Sequence, residues 1–138
     1  MFEHCIYFNT AALARTLERK WGEAFAPLGL TAPQAFALRL ILAQPGSLQY
    51  QLAEQLGVAR STLTRLLDSL ERKALLKRES SGGDGREVAI YPTAAARKLQ
   101  TELEQRAKGV TETIKPNVGK ETFEVTVRNL RKIRASLD

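Results

Sequence analysis

The sequence predicts a mainly α-helical fold carrying one β-hairpin, and three observations lead there. Apolar residues recur at helical spacing through most of the chain, as at Leu63, Leu66, Leu67 and Leu70. Two alternating runs, "LLKRES" and "EVAIYP", flank the glycine-bearing stretch "SGGDGR" and read as paired strands. Upstream, two short helical segments, "SLQYQLAEQL" and "RSTLTRLLDSLERKAL", are separated only by "GVA", a turn that reverses the chain sharply.

The elements follow in order. A first helix covers about residues 3–25, because Ile6, Leu13, Leu17, Trp21 and Phe25 fall largely on one stripe. "APLGL" (26–30) ends it, Pro27 disfavouring continuation and Gly29 supplying a turn. Thr31 caps a second helix with Pro33 in its first turn. Phe36, Leu38, Leu40 and Leu42 make that helix apolar nearly all round, as a buried helix is. After "QPGS", Ser47 is expected to cap a short third helix, Leu48 to Leu56, which Gly57 terminates. The fourth helix runs from about Arg60 to Ala74, its leucines inward and Arg60, Ser61, Thr64, Arg65 and Asp68 outward. Beyond the hairpin, Thr93 caps a fifth helix that continues to about Ile114, where Pro116 and Asn117 are expected to interrupt it. A sixth helix, Val118 to Leu137, closes the chain.

The 138 residues fit a single domain with a core that needs no metal or disulfide staple. No apolar run reaches bilayer-spanning length and no signal pattern opens the chain, so a cytoplasmic protein without membrane contact is expected. The one cysteine, Cys5, fits a reducing compartment. Net charge is +6, and its placement matters more than its size. Residues 1–57 are balanced, whereas Val58–Arg78 holds Arg60, Arg65, Arg72, Lys73, Lys77 and Arg78 against Asp68 and Glu71. A basic segment on a compact domain suits a polyanion such as nucleic acid.

The glycine stretch could cradle a nucleotide or tip a hairpin. A phosphate loop needs a lysine and a hydroxyl on the helix after its glycines, and a dinucleotide fingerprint needs strand, glycines and helix in that order. "GGDGRE" has neither, and it leads into a strand. His4 is the only histidine, so no metal cluster or nucleophile relay can be assembled, and neither catalysis, a metal nor a cofactor is expected. The helix-turn-helix reading uses every segment. Leu52, Leu56, Val58 and Leu63 form the small core between its helices. Arg60, Ser61, Thr62, Thr64 and Arg65 lie near the N-terminus of the second helix, the end that enters a major groove. The hairpin becomes a two-stranded wing carrying Arg86 toward the DNA backbone or minor groove.

The segments "LTAPQAFALRLI", "LAEQLGVARSTLTRLLDSLERKALLKRE" and "DGREVAIYPTAAARKL" resemble the MarR (multiple antibiotic resistance regulator) family of winged helix-turn-helix transcription factors over essentially the whole chain. Asp84–Gly85–Arg86, followed by an alternating strand and Thr93, is similar to the family's wing signature. "LERKALLKR" is similar to its "LE-x-x-GLI-x-R", with Ala74 where glycine is usual. Pro92 and Ala96 also depart, from a leucine and a helical glycine; these changes bear on the wing exit and not on the fold. The resemblance implies a homodimer that binds palindromic operator DNA and releases it for a small molecule or an oxidant, and a repressor that a small molecule releases is the expected function. It divides the chain into a winged helix-turn-helix at 31–97 and dimerisation helices at 1–30 and 98–138. The apolar stripe Phe123, Val127, Leu130, Ile133 and Leu137 suits the latter role.

Two effector readings stand side by side. Tyr7, Trp21, Phe25 and Phe36 could line a pocket for an aromatic compound, with Arg39 gripping an anionic group on it. Alternatively, "HCIYF" resembles the peroxide-sensing branch of the family, making Cys5 a thiol switch at a helix N-terminus, although Trp21 and Ala32 stand where that branch places tyrosines. A third reading, a winged-helix module for protein contacts alone, is disfavoured by the basic, polar outer face of the fourth helix.

Overall fold

The computed structural model describes residues 1–80 and 87–138; the stretch 81–86, and Arg86 with it, lies outside the described residues. The first helix, α1 (Ile6–Phe25), starts at Ile6 and not at Glu3. Cys5 takes the N-cap position in extended conformation, and the Asn9 side-chain amide donates to the carbonyls of Phe2, Glu3 and Cys5, folding the terminal residues against the first turn. Only the C-terminal end of α1 is packed: Phe25 is fully buried, while Ile6, Tyr7, Phe8 and Leu13 are exposed. A 3-10 turn at Ala26–Leu28 and left-handed Gly29 reverse the chain.

Helix α2 (Ala32–Ala43) begins with a reciprocal capping box. Thr31 Oγ1 accepts from the Gln34 backbone N–H at 3.3 Å, and the Thr31 N–H donates to Gln34 Oε1 at 3.0 Å. Its apolar surroundings bury Ala35, Ala37, Leu38 and Ile41, as expected, although Phe36 is 39% exposed. Ser47 does not cap the next helix. With Leu48 it forms a two-residue strand, β1 (Ser47–Leu48), and its hydroxyl turns back to donate to Gln44 O at 2.8 Å. Helix α3 (Gln49–Leu56) then ends at Gly57, whose φ of 69° is one that glycine adopts freely.

Helix α4 (Arg60–Arg72) is followed by strands β2 (Leu76–Ser80) and β3 (Val88–Pro92). The expected hairpin is present, but the sheet has three strands in the order β1-β3-β2, all antiparallel. The third strand arises because β3 has two edges: Leu76 to Ser80 pair along one, and Ser47 and Leu48 face Ile90 and Ala89 on the other.

The exit of α4 is a Schellman motif, in which Leu75 N–H donates to Leu70 O at 3.0 Å and Ala74 N–H to Glu71 O at 2.9 Å. That motif requires a left-handed residue, and Ala74 supplies it with φ 59°, the one positive φ among the described non-glycine residues. The Thr93 hydroxyl donates to Ala74 O at 2.7 Å, and the same oxygen accepts from the Ala96 N–H at 3.2 Å as the N-cap of α5 (Ala94–Val118). One side chain therefore fastens the end of α4 to the start of α5.

Pro116 does not interrupt α5, which continues to Val118. A proline this close to a helix end removes a single N–H from the last turn, and the turn survives. Gly119, with φ 89° and ψ 150°, makes the actual break before α6 (Lys120–Leu137). The core joins α2, α4, β3 and α5 through Leu38, Ile41, Leu67, Leu70, Ile90 and Leu103, all at or near zero exposure. Helix α6 buries no residue, and Val127, Leu130, Ile133 and Leu137 lie exposed along it. No single helix among the described residues is long and apolar enough to cross a membrane.

Candidate nucleic-acid interface and effector groove

Helical spacing sorts α4 into two faces. Leu63, Leu67 and Leu70 are fully buried, so Arg60, Ser61, Thr62, Thr64 and Arg65 are exposed together at its N-terminal half. Ala59 at the N-cap position offers no side-chain oxygen to the first N–H groups of the helix. Thr64 is tied locally: its hydroxyl donates to Arg60 O at 2.9 Å and accepts from Gln49 Nε2 at 3.0 Å. Gln49 and Tyr50, at the start of α3, line with Arg60 a depression of about 250 Å³ beside this face. Sequence reasoning passed over both. Their only signal was position, directly at the start of the helix that precedes the turn.

The basic segment is less uniform than its composition suggests. Arg78, on β2, reaches across to α4, where it contacts Asp68 at 2.8 Å and Glu71 at 3.2 Å. Asp68, expected to point outward with the polar face, is thereby engaged by a neighbouring strand. Arg60, Arg65, Arg72, Lys73 and Lys77 remain exposed.

An apolar groove of about 400 Å³ opens between α1, the start of α2 and the helix-turn-helix. Leu17 and Trp21 come from α1, Pro33 and Phe36 from α2, Leu56 from the end of α3 and Val58 from the turn; among the described residues Glu18 is the only charged group on its walls. The Trp21 and Phe36 rings lie 6.4 Å apart, and Phe25 packs edge-on against Phe36 from beneath, at 6.1 Å. Of the expected pocket residues, Trp21 and Phe36 line this groove, while Phe25 is core. Tyr7 is 79% exposed and stands fourteen residues, about 21 Å of helix, before Trp21, so the two do not share a pocket within one chain.

Arg39 lies beside the groove with its guanidinium already held. Its Nε and Nη2 donate to the two carboxylate oxygens of Glu104, each at 2.9 Å, and its Cζ stands 4.9 Å from the Phe36 ring centre. The bond to Arg39 holds the Glu104 carboxyl below the usual carboxylate range. An incoming anion that approached the Nε edge of Arg39 would have to displace Glu104. Cys5 is exposed at the start of α1, far along the helix from Trp21 and from Ala32, which lines the groove. Among the described residues no three His, Cys, Asp or Glu side chains gather to hold a metal ion.

A helix-turn-helix followed by a small antiparallel sheet and long terminal helices can now be set against known proteins. Residues 28–87 match the model of the MarR family. The fold is similar to MepR of S. aureus, solved as a DNA complex, at 25% identity over 99% of this chain and 100% of that one, with a TM-score of 0.88. The M. tuberculosis transcriptional regulator MosR is 26% identical over 99% of each chain, with a TM-score of 0.83. CouR from Rhodococcus jostii, bound to p-coumaroyl-CoA, has the same fold at 21% identity, 96% and 94% coverage and a TM-score of 0.83. The matched segment and the shared fold are those of MarR-type transcriptional regulators, to which this chain is similar.

Proposed function

We propose that this protein is a homodimeric MarR-type repressor that binds palindromic duplex DNA and releases it when a small apolar or aromatic molecule enters the groove beside Trp21. The exposed, polar and basic N-terminal face of α4 carries this reading. Arg60, Ser61, Thr62, Thr64 and Arg65 supply base-edge and phosphate contacts, and the uncapped N–H groups after Ala59 can meet a phosphate. Arg86 is assigned to the wing contact from the sequence alone. The division into a winged helix-turn-helix at 31–97 and dimerisation helices at 1–30 and 98–138 is part of the proposal. It is supported by the apolar residues left uncovered on the N-terminal half of α1 and along α6.

The groove supports release because its walls belong to both parts. Leu17 and Trp21 are on the helix assigned to dimerisation, and Leu56 and Val58 are at the end of α3 and on the turn of the DNA-reading unit. A molecule wedged there changes the spacing of the two reading lobes, which must match half-sites about one helical turn apart. With the Nε edge of Arg39 taken by Glu104 and Glu18 the only wall charge among the described residues, the groove favours the apolar body of a ligand over an anionic handle.

The test is binding to duplexes that carry inverted half-sites, followed by fluorescence anisotropy across a salt series. A dimer whose affinity falls steeply with salt is expected. Arg65→Ala should relax sequence preference at a loss of about 1–3 kcal/mol, and Arg86→Ala should weaken all sequences alike. A monomer at micromolar concentration, or salt-independent binding, overturns the reading. For release, aromatic compounds and organic peroxide are compared on wild type and Cys5→Ser. Peroxide release that Cys5→Ser abolishes, with aromatic compounds inert, would replace the groove by a thiol switch.

A further inference from the structure

Thr64 stands on the exposed face of α4, yet its hydroxyl is already engaged within the protein. A threonine hydroxyl has one proton to donate and two lone pairs to accept with. The proton goes to Arg60 O at 2.9 Å, one turn back on the same helix, and one lone pair takes the Gln49 Nε2 proton at 3.0 Å. Nothing is left to donate to a base; what remains on the exposed side chain is one lone pair and the γ-methyl branch.

We infer that Thr64 reads a thymine through methyl–methyl contact, and that Gln49 is the positioning residue that holds the hydroxyl and so turns the methyl branch toward the groove. This rests on the DNA-binding reading above and deepens it by naming the base chemistry at one position. The thymine 5-methyl is the one apolar mark on the floor of the major groove, and a threonine methyl is among the side-chain groups that recognise it. The neighbouring Arg60, Ser61 and Arg65 are polar and suit the hydrogen-bonding edges on either side. Gln49 comes from the helix before the turn, so the α3–α4 packing angle, and not α4 alone, sets how Thr64 is presented. Threonine in a helix has two available rotamers, because its hydroxyl can bond back to the preceding turn; the Gln49 bond selects between them.

The experiment uses the full-length protein and duplexes selected from a randomised pool for tight binding. Each thymine in the selected half-site is replaced in turn by uracil, which removes the 5-methyl and leaves every hydrogen-bonding group in place. For wild type, one position should lose about fourfold per half-site, the worth of one buried methyl. Thr64→Val keeps a γ-methyl and should retain that thymine-over-uracil preference. Thr64→Ser keeps the hydroxyl, loses the methyl and should abolish it. Gln49→Ala leaves Thr64 intact and should narrow the preference without removing binding. If uracil is tolerated at every position, or if Thr64→Ser discriminates as wild type does, the inference is overturned while DNA binding stands. If no duplex is retained at low salt, the DNA-binding reading and this inference fall together.

Discussion

Ala74 is the residue whose replacement by glycine should stabilise the protein. It holds φ 59° at the end of α4, and the bonds Leu75 N–H to Leu70 O and Thr93 hydroxyl to Ala74 O fix it there. A left-handed conformation costs an L-residue about 1–2 kcal/mol, which glycine avoids. Glycine gives back about 0.4–1 kcal/mol through the greater freedom of its unfolded chain. Ala74 is exposed, so its methyl contributes little burial. The net gain from Ala74→Gly is therefore about 0.5–1 kcal/mol, or a Tm rise on the order of 2–4 °C for a chain this size. Urea and thermal unfolding should be followed at one fixed protomer concentration, because a dimer's stability depends on it. Ala74→Val is the counter-test: a β-branched side chain tolerates φ > 0 least and should lose stability relative to wild type. A glycine variant no more stable than wild type, together with a valine variant no less stable, would refute the left-handed assignment and the strain argument built on it.

Three further outcomes are expected. Thr93→Ala removes both the α5 N-cap and the bond to Ala74 O, and should lose about 1–2 kcal/mol in urea unfolding, most of it restored in Thr93→Ser. Glu104 has its folded carboxyl pKa lowered by Arg39, so its contribution to stability is present above the ordinary glutamate value of about 4.3 and is lost as pH falls through the lowered folded value. Glu104→Gln should therefore flatten the acid limb of a stability-versus-pH curve; an unchanged limb would show that the pair contributes nothing. Leu130→Glu puts a charge on the uncovered stripe of α6 and should raise the dimer dissociation constant at least tenfold by analytical ultracentrifugation, with the monomer's helix content preserved by circular dichroism.

Much of this protein is legible in its sequence because the relevant forces act within a turn or two of chain. The 3.6-residue recurrence of Leu63, Leu67 and Leu70 decided that α4 is a helix and which side faces outward. Thr31 announced a helix start, Gly57 an end, and Thr93 the start of α5. The tertiary structure decided what such local preferences cannot reach. Ser47 has the residue type of a helix cap but becomes a strand, because the free edge of β3, more than forty residues away, offers hydrogen bonds. Pro116 reads as a break, yet the helix carries it through its last turn. Arg39 reads as a free cation; Glu104, 65 residues on, pairs with it, just as Asp68 and Glu71 engage Arg78. The groove exists only where α1 and α2 cross above the turn, and the Gln49–Thr64 bond only where α3 meets α4. Backbone preference and periodicity are properties of neighbours in sequence. Partners, enclosed space and the direction of a side chain's last free group depend on crossing angles between elements, and those come from packing the whole core.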